Sequence, residues 1–532
     1  MIDTAALREK VLDLAIRGKL VPQDPNDEPA SVLLERIHEQ KLQMVREGKL
    51  KAKDVKDDTI IFKGDDNCYY EKYSDGSVKN IQDEIPFDLP AGWAWSKISA
   101  ISFVTKLAGF EYTNYIADNL CNDGIPLFKG KNVQDGKIIY EFESYIPLNI
   151  SNALPRSQIS RKCLLTPYVG TIGNIGIHNK QGIYHLGSNV GKIELYNQTE
   201  VLLEEYVVAY MKSTYGYKEL TKHIKATAQA SISIDAIRDV YIAIPPSNEQ
   251  IKISNKIDEI FSFISVVENS RKEIEDIKTL LKSKILELAI QGKLVPQDES
   301  DEPASVLLEH IRAERKAKLG KKYVESFIYK GDDNCYYEKI GKTSVNIAES
   351  IALEVPPKWE ICRLESVVEM YTGNSINESD KAKKYTGLSD GYNYIATKDI
   401  SFNHTVNYDN GVKIPYGEPK FKIAYKGDPL LCIEGGSAGR KIAILSEDVC
   451  FVNKLCVFHS LGVNKKYLYY YLQSPQFCEL FKKNTSGLIG GVSINTLKSL
   501  YFMLPPLSEQ LRIVCAVEKV FSYMDEIEKS LN

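Results

Sequence analysis

Nearly the same 28 residues are written twice in this chain. Positions 10–37 and 284–311 agree at 22 of 28 places, at an offset of 274. A chain built this way folds as two related halves. The copies share LAIxGKLVPQD followed by DEPASVLLExI, and the match extends beyond them. DDTIIFKGDDNCYYEKY at 57–73 returns as SFIYKGDDNCYYEKI at 326–340, which reads as a short strand pair around a Gly-Asp turn. IPFDLPAGW at 85–93 is echoed by ALEVPPKW at 352–359, a fixed entry ending on Trp93 and Trp359. A common exit follows at 231–253 and 491–513, now offset by 260, where a strand, a Pro-Pro break and a helix start recur. Between entry and exit the two copies have diverged almost completely. Those variable stretches carry strand signals such as GKIIYEF (136–142), GKIELY (191–196), PLLCI (429–433) and KIAIL (441–445).

After each exit the apolar residues fall on a heptad seam. From Ile253 it passes through Ile257, Ile260, Ile264, Val267, Ile274 and Leu281; in the second copy it passes through Val517, Val520, Met524 and Ile527. This spacing predicts long coiled-coil helices. By the 260 offset Asn532 corresponds to Lys272, and by the 274 offset Met1 corresponds to Glu275, so the end of the chain resumes almost in register at its beginning. The expected fold is α+β: two mixed α/β variable domains separated by long antiparallel coiled-coil helices, arranged as a circular two-fold pseudo-repeat. The expected domains are 1–84 (a helical region completing the second frame), 85–246, 247–351 (a central helical region), 352–506 and 507–532.

Composition narrows the class. The 532 residues are 43% hydrophobic, enough for several cores, and no apolar run approaches the roughly 18 residues of a membrane span. A cytoplasmic chain without membrane contact is expected. The 10 cysteines form no CxxC pair, which speaks against a zinc site or a disulfide framework. Net charge is −4, but it is unevenly spread. Residues 96–245 hold 15 Lys and Arg against 13 Asp and Glu, and 361–506 hold 17 against 13, so the variable stretches carry +2 and +4 while the remainder carries −10. Local positive potential of this kind permits nucleic-acid binding.

Two different domains on one symmetric frame suit the reading of two different things at a fixed separation. A helix over 249–292 spans roughly 66 Å at 1.5 Å per residue, about 19 base pairs of DNA. A coiled-coil scaffold or adhesion protein with two ligand-binding domains fits the same layout, as does a self-sufficient modification enzyme.

The residues favour one of these. Pro245, Pro246, Glu249 and Gln250 form a Pro-Pro-x-x-Glu-Gln helix start that recurs as Pro505, Pro506, Glu509 and Gln510. With the GKLVPQ segments, the loop from Tyr168 to Gly173 (YVGTIG) and the two-copy layout, the whole chain resembles a type I restriction-modification specificity subunit. The resemblance implies two target-recognition domains reading halves of a split site on double-stranded DNA. It also implies helical regions docking two methyltransferase (modification) subunits and restriction-translocase subunits in the full complex. S-adenosylmethionine, ATP and Mg are then expected on the partners and no cofactor or metal on this chain, which is not itself an enzyme.

Gly170, Thr171 and Gly173 match the family's Gly-Thr-Ile-Gly loop, and Asn189 precedes the strand GKIEL. The alternative for this loop is an ordinary tight turn. In the second domain Gly435, Gly436 and Ser437 stand in a different loop, EGGSAG, followed by Arg440 and Lys441, with Asn453 and Lys454 ahead of the later strand. That departure predicts a different contact mode. Lys129, Lys131, Asn132, Arg161, Lys162 and Lys398 are further candidates, since Lys and Arg neutralise phosphate and Lys, Arg or Asn read base edges. For each, solvated surface is the competing account. No GxxxxGK[ST] or FxGxG-like loop is present to bind ATP or S-adenosylmethionine, and nothing near His178 or His185 marks a triad.

Overall fold

The computed structural model describes residues 3–56, 58–134, 136–196, 202–224, 230–320, 326–351, 355–487 and 490–531. It divides into two compact units, 1–271 and 272–532, the border falling within the helix Ser247–Ile290.

In the first unit the helix Thr4–Ile16 starts on Asp3, whose carboxylate accepts the Ala6 N–H at 2.9 Å. It runs beside the long helix. Arg8 donates to Ser265 Oγ at 2.9 Å and to Glu268 at 3.0 Å and lies over the Phe261 ring, whereas Asp27 meets Asn248 at 2.9 Å and Lys252 at 3.4 Å. Partner numbers fall as chain numbers rise, so the pairing is antiparallel. In the second unit the helix Leu507–Leu531 runs antiparallel to the later part of the long helix in the same way: Arg512 pairs with Asp301, Lys282 lies over Phe521, and Lys278 pairs with Asp525 and Glu528.

The heptad seam is only partly buried. Ile257, Ile264, Val517 and Met524 are buried and Ile260 and Val520 pack at the edges of the cores, but Val267 (38% exposed), Ile274 (36%), Leu281 (45%) and Ile527 (59%) are not covered. The expectation of a continuous seam is corrected there. One helix alongside buries a seam only where it runs: Arg8 meets Glu268 in one unit, and Asp525 meets Lys278 in the other.

The repeated motifs fix how each variable domain meets its helix. Trp93 Nε1 donates to Glu249 at 2.9 Å, and Trp359 Nε1 donates to Glu509 at 2.9 Å. Gln250 is fully buried; it accepts the Leu203 N–H at 3.0 Å and donates to the Pro245 carbonyl at 3.0 Å. Gln510 does the same with Asn464 (2.8 Å) and Pro505 (2.9 Å). Thus the Glu-Gln pair of each Pro-Pro-x-x-Glu-Gln start rivets a domain to the first turn of its helix. GKLVPQ ends the helix before it. Gly18 (φ 64°) and Gly292 (φ 68°) adopt the left-handed conformation of a helix terminus, and an added Cβ would lie 2.6 Å from Pro90 and 2.4 Å from Pro356.

The variable stretches share one topology. In the first unit a four-stranded antiparallel sheet has the order Gly176–His178, Cys163–Pro167, Val190–Leu195, Ser102–Lys106. In the second the order is Ile442–Ile444, Pro429–Cys432, Leu455–Ser460, Val368–Thr372. Each is accompanied by a second four-stranded sheet with one parallel pair at its centre, Tyr184–Leu186 with Ile125–Phe128 and Val449–Phe451 with Tyr392–Ile395. Side-chain alternation explains the common build. Leu164 enters the core shared with the helices while its neighbours Cys163 and Leu165 enter the core between the sheets; Leu431 and its neighbours Leu430 and Cys432 divide the same way. Among the described residues no helix is long and apolar enough to cross a membrane.

Candidate nucleic-acid interface

In the first unit the fully buried strand Cys163–Pro167 leads into the loop 168–175. Backbone bonds seat this loop: Tyr168 N–H donates to the Asn189 carbonyl at 3.2 Å and Gly170 N–H to the Ala230 carbonyl at 2.9 Å. Gly170 has φ 87° and Gly173 φ 96°, and a Cβ at Gly173 would lie 2.3 Å from the Tyr217 ring. The positive φ strains any other residue there, and Tyr217 would have to move aside. Thr171 is exposed at the apex. Asn189 also has a positive φ, 65°, a conformation that asparagine tolerates. Beside it, Gly130 N–H donates to the Ser188 carbonyl at 3.2 Å, which brings the segment 129–132 against the same turn. Three separate pieces of sequence therefore meet at one end of the sheets.

The second unit repeats this seating. Ile433 N–H donates to the Lys454 carbonyl at 3.0 Å, and Gly435 (φ 92°) N–H to the Gly490 carbonyl at 2.8 Å. Gly439 (φ 71°) takes the place of Gly173, with an added Cβ 2.7 Å from Phe481. Val452 N–H donates to the Ile395 carbonyl at 3.0 Å, as Gly187 N–H does to Phe128 at 2.7 Å. The EGGSAG loop thus sits on the same backbone attachments as the loop it differs from in sequence. What differs is the side chains presented: exposed Thr171 in one, exposed Gly436 and Arg440 with half-buried Ser437 in the other.

Not every candidate residue lies at this end. Lys131 and Lys398 occupy matched positions and both are exposed, Lys131 beside Glu143. Lys129 is half-buried and donates to Ser144 Oγ at 2.8 Å. Lys441 donates to the Thr397 carbonyl at 3.0 Å, tying the loop to the segment 396–399, and Lys454 is exposed. Asn453 is exposed and accepts from Ser375 Oγ at 2.7 Å. Asn132, by contrast, is buried; its oxygen accepts the Lys129 N–H and its nitrogen donates to the Ile139 and Glu141 carbonyls, all at 2.9 Å. Its amide is spent on shaping the turn. Asp399 holds the matched turn, accepting the Ala396 N–H at 2.8 Å. Arg161 and Lys162 precede the strand Cys163–Pro167 and so lie at its other end, roughly 17 Å away for five residues at 3.4 Å each. There Arg161 pairs with Glu194, and Lys162 with Glu204 and Glu205 at 2.9 Å. Burial pushes the Glu194 carboxyl up, but Lys192 and Arg161 outweigh it and hold it below the usual range. These two cations complete a structural ion cluster.

One aromatic residue escaped the sequence reading. Phe402 is 52% exposed on a turn beside the second loop, with the Arg440 guanidinium 4.8 Å and the Lys441 ammonium 5.1 Å from its ring centre. Its signal in the sequence is faint: a lone aromatic in the turn-forming run DISFNHT. His178 and His185 are fully buried in the first domain, and burial pushes both imidazoles down. Among the described residues no group of three or more His, Cys, Asp or Glu is placed to hold a metal ion.

Comparison with known proteins agrees with this layout. A family described as the type I restriction modification DNA specificity domain matches residues 111–276 and again 356–532. The type I restriction enzyme EcoAI specificity subunit of Escherichia coli is 26% identical, the match covering 99% of this chain and 89% of that one. The EcoEI specificity subunit of the same organism is 24% identical over 99% and 90%. A solved chain from work on complex assembly and conformational transition of the type I R-M system superposes with a TM-score of 0.52 at 15% identity, over 84% of this chain and 94% of that one.

Proposed function

This chain belongs to the type I restriction-modification specificity-subunit family, and from that premise we propose that residues 85–246 and 352–506 each read one half of a bipartite site on double-stranded DNA. Specificity subunits are non-catalytic. Methylation and ATP-dependent cleavage fall to partner subunits, and S-adenosylmethionine, ATP and Mg are assigned to them.

The observation that carries the reading is the shared seating of two dissimilar loops. Gly170 and Gly435 make equivalent backbone bonds, at 2.9 and 2.8 Å, while the exposed side chains around them differ. A constant frame with exchangeable side chains is what reading two different half-sites requires. Exposed cations at Lys131, Lys398, Arg440 and Lys454 supply phosphate and base contacts, and Thr171, Gly436 and Ser437 shape the approach. Asn132, Arg161 and Lys162 are left out of this assignment.

The helices are proposed to set the spacing as an antiparallel coiled coil closed into a circular pseudo-repeat, with 1–84, 247–351 and 507–532 as the frame. Apolar side chains left exposed along them, Phe263 and Val266 in one unit and Ile277 and Leu280 in the other, offer partner subunits a surface to cover. Removing seven residues from Ser247–Ile290 and seven from the helices beside it shortens the spacer by about 10 Å. The gap in the recognised site should shrink by about three base pairs with both half-sites unchanged. A gap that stays the same contradicts the spacer role.

A further inference from the structure

Neither DNA reading nor helical spacing uses the small three-stranded sheet that each unit carries. In the first unit it is built from Ile60–Lys63, Tyr69–Lys72 and Val78–Asn80, and in the second from Ser326–Lys330, Tyr336–Ile340 and Thr343–Asn346. The inner face of each is anchored through a buried glutamate to the strand that opens the recognition domain. Glu71 pairs with Lys97 at 2.6 Å and accepts from Thr59 and Tyr241, and Glu338 accepts from Arg363 Nε at 3.0 Å and Ser326 Oγ at 2.9 Å. The sheets are anchored outgrowths at the root of each recognition domain.

Their outer faces are open and alike. Phe62 stacks on Tyr70 with ring centres 5.9 Å apart and planes at 25°; Tyr329 stacks on Tyr337 at 5.8 Å and 24°. Ile60 and Val78 stand beside the first pair, 62% and 52% exposed, and Phe327 occupies the place of Ile60 in the second. The turn at each tip is held identically. Asp66 accepts the Cys68 N–H at 3.0 Å and the Tyr70 hydroxyl at 2.8 Å, and Asp333 accepts the Cys335 N–H at 3.1 Å and the Tyr337 hydroxyl at 2.8 Å. Asp65 and Asp332 stand exposed beside them.

Each face holds one lysine, Lys72 between Ile60 and Val78 and Lys339 between Phe327 and Ser344, against the two carboxylates of its tip turn, so it has no run of cations to hold a phosphate backbone. It suits a protein surface with an apolar ridge edged by Lys or Arg. Within this one chain the strip is kept in both copies while the adjoining recognition domains have diverged almost completely. Whatever covers it meets the same chemistry twice, so one kind of partner in two copies is implied. Its place at the root of each recognition domain is where a subunit acting on that domain's half-site has to be held.

We propose that these two sheet faces, marked by the Phe62–Tyr70 and Tyr329–Tyr337 stacks, are a matched pair of docking sites, each taking one modification subunit through a basic-edged apolar ridge. The inference rests on the reading that partner subunits carry the methyltransferase. The test is native mass spectrometry of the full chain co-expressed and co-purified with the modification subunit of its own system. The variants are F62S/Y70S, Y329S/Y337S and all four together. Because Tyr70 and Tyr337 also hold the turns, V78E places a charge on the first face beside its stack, and S344E does so on the second, where it also replaces the Ser344 hydroxyl that accepts from Tyr329 at 3.4 Å. Either single-sheet variant should weaken one of two bound copies at least about tenfold, and the combined variant both. Specific DNA binding by the free chain, measured in parallel, should be unchanged. Two copies retained by the combined variant and by V78E/S344E overturn the proposal, as does loss of a restriction subunit with both modification subunits kept. Loss of specific DNA binding by the unaltered chain would instead strike the functional reading on which it rests.

Discussion

Gly173→Ala and Gly439→Ala impose the same chemical change on two loops with the same backbone seating, yet their costs should differ. Both glycines have positive φ, 96° and 71°, so an alanine at either pays about 1–2 kcal/mol of backbone strain. The room around them is unequal. The added Cβ at Gly173 meets Tyr217, whose side chain is 49% exposed and free to swing outward. At Gly439 it meets Phe481, which is 3% exposed and packed in the core shared with the helices. Overpacking there adds about 1–3 kcal/mol. Gly173→Ala should therefore cost about 1–2 kcal/mol and Gly439→Ala about 2–5 kcal/mol. Urea unfolding of the two purified variants measures the difference. Binding to DNA carrying only one correct half-site should show each variant impaired at its own half. Equal destabilisation, or a larger loss at Gly173, refutes the argument from space. Loss at the wrong half refutes the assignment of loops to half-sites.

Other expectations follow from the same contacts. Lys131→Ala and Lys398→Ala should each lower the slope of log affinity against log salt by about one, whereas Arg161→Ala and Lys162→Ala, which lie at the far end of the strand Cys163–Pro167, should leave it unchanged; a salt titration of DNA binding decides. Phe402→Ala should weaken binding at the second half-site a few fold, since the ring holds the Arg440 and Lys441 cations by contacts of about 0.5–1 kcal/mol, with little change in melting temperature because the ring is 52% exposed; unaltered affinity removes Phe402 from the interface. The Arg363 hydrogen bond holds the Glu338 carboxyl below its ordinary 4.5. Its stabilisation, about 1.5–3 kcal/mol, is then fully present above that value and lost as pH falls through the lower value of the folded state. The stability gap between wild type and Arg363→Met should be constant near neutral pH and close in acid; a gap that widens in acid contradicts the sign.

Much of this was legible because the chain repeats itself. The 274-residue offset exposed the frame, and the Pro-Pro-x-x-Glu-Gln starts proved to be the rivets between helix and domain, Gln250 and Gln510 making equivalent bonds. The equivalence of the two loops was hidden. Backbone N–H groups of Gly170 and Gly435 make the shared contacts, and backbone bonds leave little trace in side-chain identity. Asn132 misled for a related reason: an amide in a Gly-rich turn looks free in sequence, and only the fold reveals three bonds from it. Arg161 and Lys162 stand close in sequence to the recognition loop but on the far side of a strand, a separation that residue type cannot convey. The heptad at Val267, Ile274 and Leu281 records an apolar stripe without saying which protein covers it.

The central claim is that this chain gives partner enzymes a split recognition sequence. Methylome sequencing of cells expressing the modification subunit, with and without this chain, tests it most directly. The account predicts one bipartite motif, two short half-sites around a fixed gap, that is methylated only when the chain is present. A methylation pattern that is unchanged when the chain is removed, or a lost motif that is continuous rather than split, would contradict it.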